Sequence, residues 1–288
     1  MLGYLGYFFY RLGEAIAVRV PMHLAYRLAE RVAGLYWIFH HRSRNMLLTN
    51  LRYALGPQAD EATVRRTARS GFNQFAYGVV DFFRQPRLLA GELDQLIVAI
   101  SGKEYLQEAA TSGRGAILMI AHMGPWEAGG AWIASQGIRL TGVALTHELP
   151  QVEEFFISRR VRSGYRTVPL GQAARDLLRT LNKGEMIVVA ADRNFDEFGS
   201  RADFFGHPAV MPDGHVRIAL RTGVPIIPAF LIRTEDLRVR IVFEPPIYLR
   251  RGQDDKSSAL RRCLDLLEEQ IAMRPEQWMA FSPIWVEE

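Results

Sequence analysis

The sequence predicts an α/β fold: a central, mostly parallel or mixed sheet flanked by helices, with an amphipathic helical N-terminal portion. Three observations carry this. From about residue 95 onward, short β-rich runs alternate with helix-like stretches, the pattern of strands joined by crossover helices. Residues 1–90 show instead apolar residues at helical spacing. The composition, 49% hydrophobic and 23% charged over 288 residues, belongs to a chain that buries a full core without staples. With no repeat, low-complexity tract or flexible linker, one domain over 1–288 is expected: a helical portion 1–90 and an α/β portion 91–288.

Two short helices open the chain. Arg11, Glu14 and Arg19 fall within an arc of about 140°, and after Pro21 the polar residues His23, Arg27, Glu30 and Arg31 share an arc of about 100°. A third helix is expected over Arg44–Leu55. A fourth runs from Asp60, a candidate N-cap, to Arg84, ending before Pro86. Strands follow at Ala116–Ala121, Leu140–Leu145, Met186–Ala191, Pro225–Ile232 and Val239–Phe243, separated by Gly or Pro. Asp255–Met273 reads as a late amphipathic helix.

Residues 1–55 hold seven arginines against Glu14 and Glu30, and the first ten residues contain Tyr4, Tyr7, Phe8, Phe9 and Tyr10 with no charge before Arg11. A secretory signal would need positive charge ahead of an apolar run and small residues at a cleavage site, and neither is present. The longest uncharged apolar stretches, residues 128–138 and 222–232, fall short of the roughly 20 residues that span a bilayer. Aromatic, basic and amphipathic character together fits an element lying on an anionic membrane surface; packing on the protein core is the alternative. The single cysteine, Cys263, excludes an intramolecular disulfide and points to a reducing compartment.

The run Ala116–Ala121 ends directly in His122-Met-Gly-Pro-Trp-Glu127, so His122 sits at the carboxyl end of a strand, where α/β folds bind ligands. Gly124 permits a tight turn and Pro125 a helix start, which would carry Glu127 back toward the imidazole. A carboxylate on one ring nitrogen leaves the other as a base, the His–carboxylate half of a triad whose nucleophile is then the substrate's own hydroxyl. Backbone N–H groups at the following helix start are candidate oxyanion donors. A histidine capping a strand is the structural alternative, and the bare spacing arises by chance about as often as it is seen. Arg193 also follows a buried strand, where a guanidinium can hold phosphate; a salt bridge to Asp192 or Asp196 is its alternative.

There is no Gly-x-Ser-x-Gly elbow, His-Glu-x-x-His helix or phosphate loop. His207, Asp213 and His215 lie among Gly206, Pro208, Pro212 and Gly214, which reads as a turn-rich loop rather than a metal site. No metal or cofactor is expected. Beyond residue 55 no concentrated basic face marks a nucleic-acid partner.

On these residues the chain resembles the bacterial lipid acyltransferases with a His-x4-Asp/Glu motif, the branch holding lipid A secondary acyltransferases and phosphatidylinositol mannoside acyltransferases. The resemblance runs from Arg42 through Asn50-Leu51, His122–Glu127, Glu148, Arg160 before Gly164, and Ala191-Asp-Arg193. It continues through Asp203-Phe-Phe-Gly206, Met211-Pro212, Ala219–Pro225, Gln277-Trp278 and Pro283-Ile-Trp285. The Asp-Arg pair with Asp-Phe-Phe-Gly looks closer to the mannoside branch. One departure stands out: Pro125 occupies a position where the family commonly carries Asn. The resemblance implies a glycerolipid acyltransferase-like sheet, with His122 as general base and Glu127 as its orienting acid. Gly124, Glu148, Arg160, Asp192 and Arg193 would surround the substrates. It implies acyl-CoA or acyl carrier protein as donor and a membrane glycolipid as acceptor. The protein would work peripherally, at the cytoplasmic face of the membrane. A thioesterase with water at the same pair, and a non-catalytic lipid-binding protein, are the other readings.

Overall fold

The computed structural model describes residues 2–195 and 198–286. Four long helices come first: α1 (Leu2–Arg19), α2 (Met22–Phe39), α3 (His41–Leu55) and α4 (Glu61–Phe83). Asp60 caps α4 by accepting the Thr63 N–H at 2.7 Å. Helix α3 begins three residues earlier than the spacing predicts because the His40 ring accepts the Ser43 N–H. Short turns α5 (Gln85–Arg87) and α6 (Leu93–Leu96) flank a π-helical stretch, Leu88–Glu92, and lead into the sheet.

The α/β portion runs β1 (Ile97–Ser101), α7 (Lys103–Thr111), β2 (Ala116–Ile120), α8 (Trp126–Ser135), β3 (Leu140–Ala144), α9 (Pro150–Arg162), β4 (Arg166–Pro169), α10 (Ala173–Asn182) and β5 (Met186–Ala190). A hairpin follows, β6 (Ser200–Phe204) with β7 (His207–Met211), then α11 (Gly214–Thr222), β8 (Ile226–Arg233), β9 (Val239–Phe243) and α12 (Lys256–Met273). Among the described residues the main sheet has seven strands in the order β1-β9-β8-β2-β5-β3-β4, and every pair is parallel except β8 with β9. This is the mixed α/β sheet the alternating runs predict. Strand β4 at one edge, Arg-Thr-Val-Pro, has no continuous apolar run to reveal it; β1 at the other edge does have one, Ile97-Val-Ala-Ile100, and is an addition to the strands expected above. The turn-rich stretch around residues 206–214 is in part the β6–β7 hairpin, with Gly206 at φ 74 in its turn.

The helical portion is tied to the sheet by buried charge. Arg233 of β8 pairs with Asp81 of α4, donates to the Tyr26 hydroxyl of α2 at 3.1 Å and to the Leu237 carbonyl at 3.0 Å, and all three side chains are buried. Arg84, just after α4, ties α1 to the segment that leads into the sheet, donating to the carbonyls of Ala17 and Val20 and to Glu92. Removing one partner of such a pair leaves a buried charge alone, which costs about 3–5 kcal/mol.

Helix α2 has three faces where the sequence suggested two. Ala25, Tyr26, Ala29, Ala33 and Trp37 are buried, and the first three form a cluster with Tyr77 and Val80 of α4. His23, Arg27, Glu30 and Arg31 form the polar face. Leu24, Leu28, Val32, Leu35 and Phe39 make a third stripe that stays exposed, Phe39 to 75%. Core packing therefore accounts for only part of the apolar surface of this helix. The side chain of Tyr4 lies outside the described residues; Phe8 and Phe9 are exposed.

His207, Asp213 and His215 go separate ways. His207 is exposed and meets the Tyr53 ring edge-on, and Asp213 accepts from Ser200 and Lys256. His215 is fully buried with neither ring nitrogen hydrogen-bonded, and burial pushes its pKa down to about 4. The unfolded chain, with an ordinary histidine near 6.5, then binds the proton first. Stability from this group is complete above about pH 6.5, falls as pH drops toward 4, and amounts to roughly 3 kcal/mol. Urea unfolding of His215→Gln from pH 7 to 4 is expected to show a correspondingly shallower loss than wild type. Cys263 is a core thiol on α12, fully buried, with its pKa pushed up to about 12 by desolvation.

Candidate active site

Strands β2 and β5 pair in parallel with Ile120 opposite Ala190, so His122 and Asp192, each two residues past that pair, emerge side by side. The backbone register thus joins residues 70 apart in sequence. His122 Nδ1 lies 2.7 Å from Asp192 Oδ1, and Asp192 is fully buried. Burial alone would raise the pKa of Asp192; the charge and hydrogen bond of His122, then Arg193 and the Trp278 indole, hold it well below the usual carboxylate range. An ionised Asp192 accepts from Nδ1–H, which leaves Nε2 as the basic nitrogen. Arg193 Nε also lies 3.4 Å from Nδ1. That nitrogen has one in-plane site, already given to Asp192, so the Arg193 contact is proximity rather than a second hydrogen bond.

The expected pairing of Glu127 with His122 is therefore corrected: the carboxylate on the ring is Asp192. Pro125 caps α8 instead of entering it, and Glu127 on the first turn faces α9. There Arg160 grips it with Nη2 at 2.7 Å and Nε at 3.2 Å, and the Tyr165 hydroxyl donates to Oε2. Burial lowers the pKa of Arg160, but the charge and hydrogen bond of Glu127 together with those of Tyr165 turn the net shift upward; Tyr165, desolvated and next to Glu127, is raised well above its ordinary value. Glu127 and Arg160, paired with each other, line the same cavity that His122 enters.

Gly124, read as a substrate position, is a packing requirement. It has φ 58, and a Cβ would sit 1.8 Å from the Leu231 carbonyl oxygen of β8. Glu148 is exposed on the β3–α9 loop and does not line the cavity, whereas its neighbour His147 bonds Glu153. Arg193 is nearly buried, stacks over Phe195 and reaches Ser282 Oγ at 3.3 Å; of its two expected ion-pair partners, Asp192 lies 4.0 Å away through Oδ2 and Asp196 is outside the described residues. Of the backbone N–H groups around the β2–α8 turn and the start of α8, those of Met123, Gly124, Trp126 and Ala128 bond the carbonyls of Ala121, Gln277, Gly124 and Pro125. Arg193 is the charged donor beside the imidazole.

The cavity lies between the sheet and α8 and opens to solvent beside His122. Alternation along the strands puts Leu118, Ile120 and His122 of the β2 run, Val188 and Ala190 of β5, and Leu140 and Gly142 of β3 on this one face. Its walls below the mouth are apolar: Ile133, Ala229, Leu231, Ile241 and Phe243. On β2 the lining of this slot runs from His122 down to Leu118, four residues or about 13 Å at strand rise, and on β3 it takes in Leu140 and Gly142.

Residues 1–287 match the family described as bacterial lipid A biosynthesis acyltransferase. Among curated proteins, the phosphatidylinositol mannoside acyltransferase of Mycobacterium tuberculosis is 27% identical over 284 residues, covering 94% of this chain and 86% of the relative. That of Mycolicibacterium smegmatis is 25% identical over 283 residues, covering 96% and 91%. A lipid A biosynthesis acyltransferase of Haemophilus influenzae is 24% identical over 265 residues, covering 88% and 80%.

Proposed function

The chain belongs to the bacterial lipid A biosynthesis acyltransferase family, and from that premise we propose that it moves a fatty acyl group from acyl-CoA or acyl carrier protein to a hydroxyl of a membrane glycolipid. It is an acyltransferase; the donor, the acceptor and the base are the reading proposed. The observation that carries it is the buried Asp192–His122 pair at the mouth of an apolar slot. His122 Nε2 takes the proton of the acceptor hydroxyl as its oxygen attacks the thioester carbonyl. Arg193 faces the oxyanion that forms, and collapse expels the thiolate, which takes the proton back from the imidazolium. Asp192 stays ionised throughout and balances the imidazolium. The acyl chain occupies the slot. The names of the mycobacterial relatives favour a phosphatidylinositol mannoside as acceptor. Parallel assays with that lipid and with a lipid A precursor test this; transfer only to the latter overturns the mannoside reading, and thioester hydrolysis unaffected by either lipid overturns transfer.

Gly142 lines the deep part of the slot, level with Leu118, where an added Cβ would meet Val188 at 3.2 Å and Thr167 at 3.5 Å. Gly142→Val narrows the slot there, and the ratio of kcat/KM values is expected to move toward shorter donors by roughly 10-fold or more. Unchanged chain-length preference would place the acyl chain elsewhere.

No helix among the described residues is long and apolar enough to cross a membrane. The exposed stripe of α2, with Phe8, Phe9 and Leu12 of α1 and the arginines beside them, supports peripheral docking on an anionic surface, the cytoplasmic leaflet in this reading. Leu28→Asp with Leu35→Asp is expected to abolish sedimentation with anionic vesicles at low salt while thermal stability is kept. Equal sedimentation would argue against this face.

A further inference from the structure

Asp192 has two oxygens, and His122 uses one. The other, Oδ2, accepts the indole N–H of Trp278 at 2.9 Å, and both side chains are fully buried. The indole packs against Phe204 and Phe205, contacts any large aromatic ring could make in part, whereas the bond to Oδ2 needs the N–H.

The chain around Trp278 is fastened to the site at three further points. Trp278 bridges Met123 in antiparallel fashion, the Met279 N–H donates to the His122 carbonyl at 2.8 Å, and the Gly124 N–H donates to the Gln277 carbonyl at 3.1 Å. Downstream, Ser282 Oγ receives Arg193 Nη1. Asn50 of α3, 1% exposed, holds the segment from behind, donating to the carbonyls of Ala280 at 2.7 Å and Ser282 at 2.8 Å. One stretch, Gln277 to Ser282, therefore touches the backbone of His122, the carboxylate of Asp192 and the guanidinium of Arg193.

We propose that Trp278 is a positioning residue for the reaction: its indole N–H fixes the Asp192 carboxylate so that Oδ1 stays on His122 Nδ1, completing a buried Trp278–Asp192–His122 chain braced by Asn50. The inference rests on His122 being the base proposed above. The carboxylate has lone pairs on both oxygens, and a donor on Oδ2 both stops its rotation and draws charge away from Oδ1. Removing that donor makes Asp192 a stronger partner for the imidazolium, so His122 gives up its proton at higher pH.

The test follows the proton on the whole protein. In the 15N-labelled wild type, the Trp278 indole resonance is expected to move with the same midpoint as the His122 ring resonances, and Asp192→Asn is expected to abolish that response. Trp278→Phe is expected to shift the His122 midpoint, and the acid limb of kcat with it, upward by about half a pH unit or more, with KM changed less than about twofold. An indole resonance silent through the His122 titration overturns the proposal, even if the Phe variant fails to fold. So does a folded Trp278→Phe protein whose titration and pH profile match wild type. Coupled resonances in a protein that transfers no acyl group would uphold the chain and overturn the proposed function instead.

Discussion

His122→Ala is expected to lower acyl transfer by roughly 10²–10⁴-fold at pH 7 while the fold and vesicle binding stay intact, because a positioned general base contributes about that much. The ring is only partly buried and its heteroatom bond is to Asp192, so deleting it opens a small gap at the cavity mouth rather than in the core. Its backbone carbonyl still receives the Met279 N–H. Circular dichroism and thermal melting alongside the assay separate loss of chemistry from loss of fold. Turnover within threefold of wild type at matched folding would remove His122 from the mechanism.

Asp192→Asn is expected to cost a similar factor, roughly 10²–10⁴ in kcat, by a different route. The amide is nearly isosteric but neutral, and its NH2 can donate to Nδ1, selecting the tautomer whose proton sits on Nε2 where the base should be. Because Asp192 is held well below its ordinary pKa by His122, its ionised form also contributes stability at neutral pH, which is lost as pH falls through the carboxylate range toward that depressed value. Glu127→Gln is expected to behave otherwise. It loosens the Arg160 and Tyr165 ties at the cavity rim, so its effect should fall on substrate binding while the pH dependence of kcat is kept. Opposite pH signatures in the two variants would return the orienting role to Glu127.

Much of the fold was legible because buried parallel strands leave continuous apolar runs. Ala116–Ile120 and Met186–Ala190 lie between other strands with helices on both faces, and the sequence shows them within a residue of their ends. Edge strand β4 and the β6–β7 hairpin escaped, since an exposed face needs no apolar residue, whereas β1 carries an apolar run, Ile97-Val-Ala-Ile100, too short to stand out beside the helical segment before it. His122 was legible for the same reason as its strand: a polar residue directly after a buried run stands at a strand end. Asp192 carried that same signal after Met186–Ala190, but proximity in sequence favoured Glu127 as the partner.

Sequence by itself determined which central strands are buried, where polar side chains leave them, and that four arginine-bearing helical segments precede the sheet. Tertiary structure alone decided who meets whom. The adjacency of β2 and β5 places Asp192 on His122, the approach of α9 removes Glu127 to Arg160, and a return of the chain after α12 brings Trp278 beneath both. Strand order and the path of a returning segment are set by the global packing of apolar faces, and local periodicity, which repeats every two or 3.6 residues, holds no information about them.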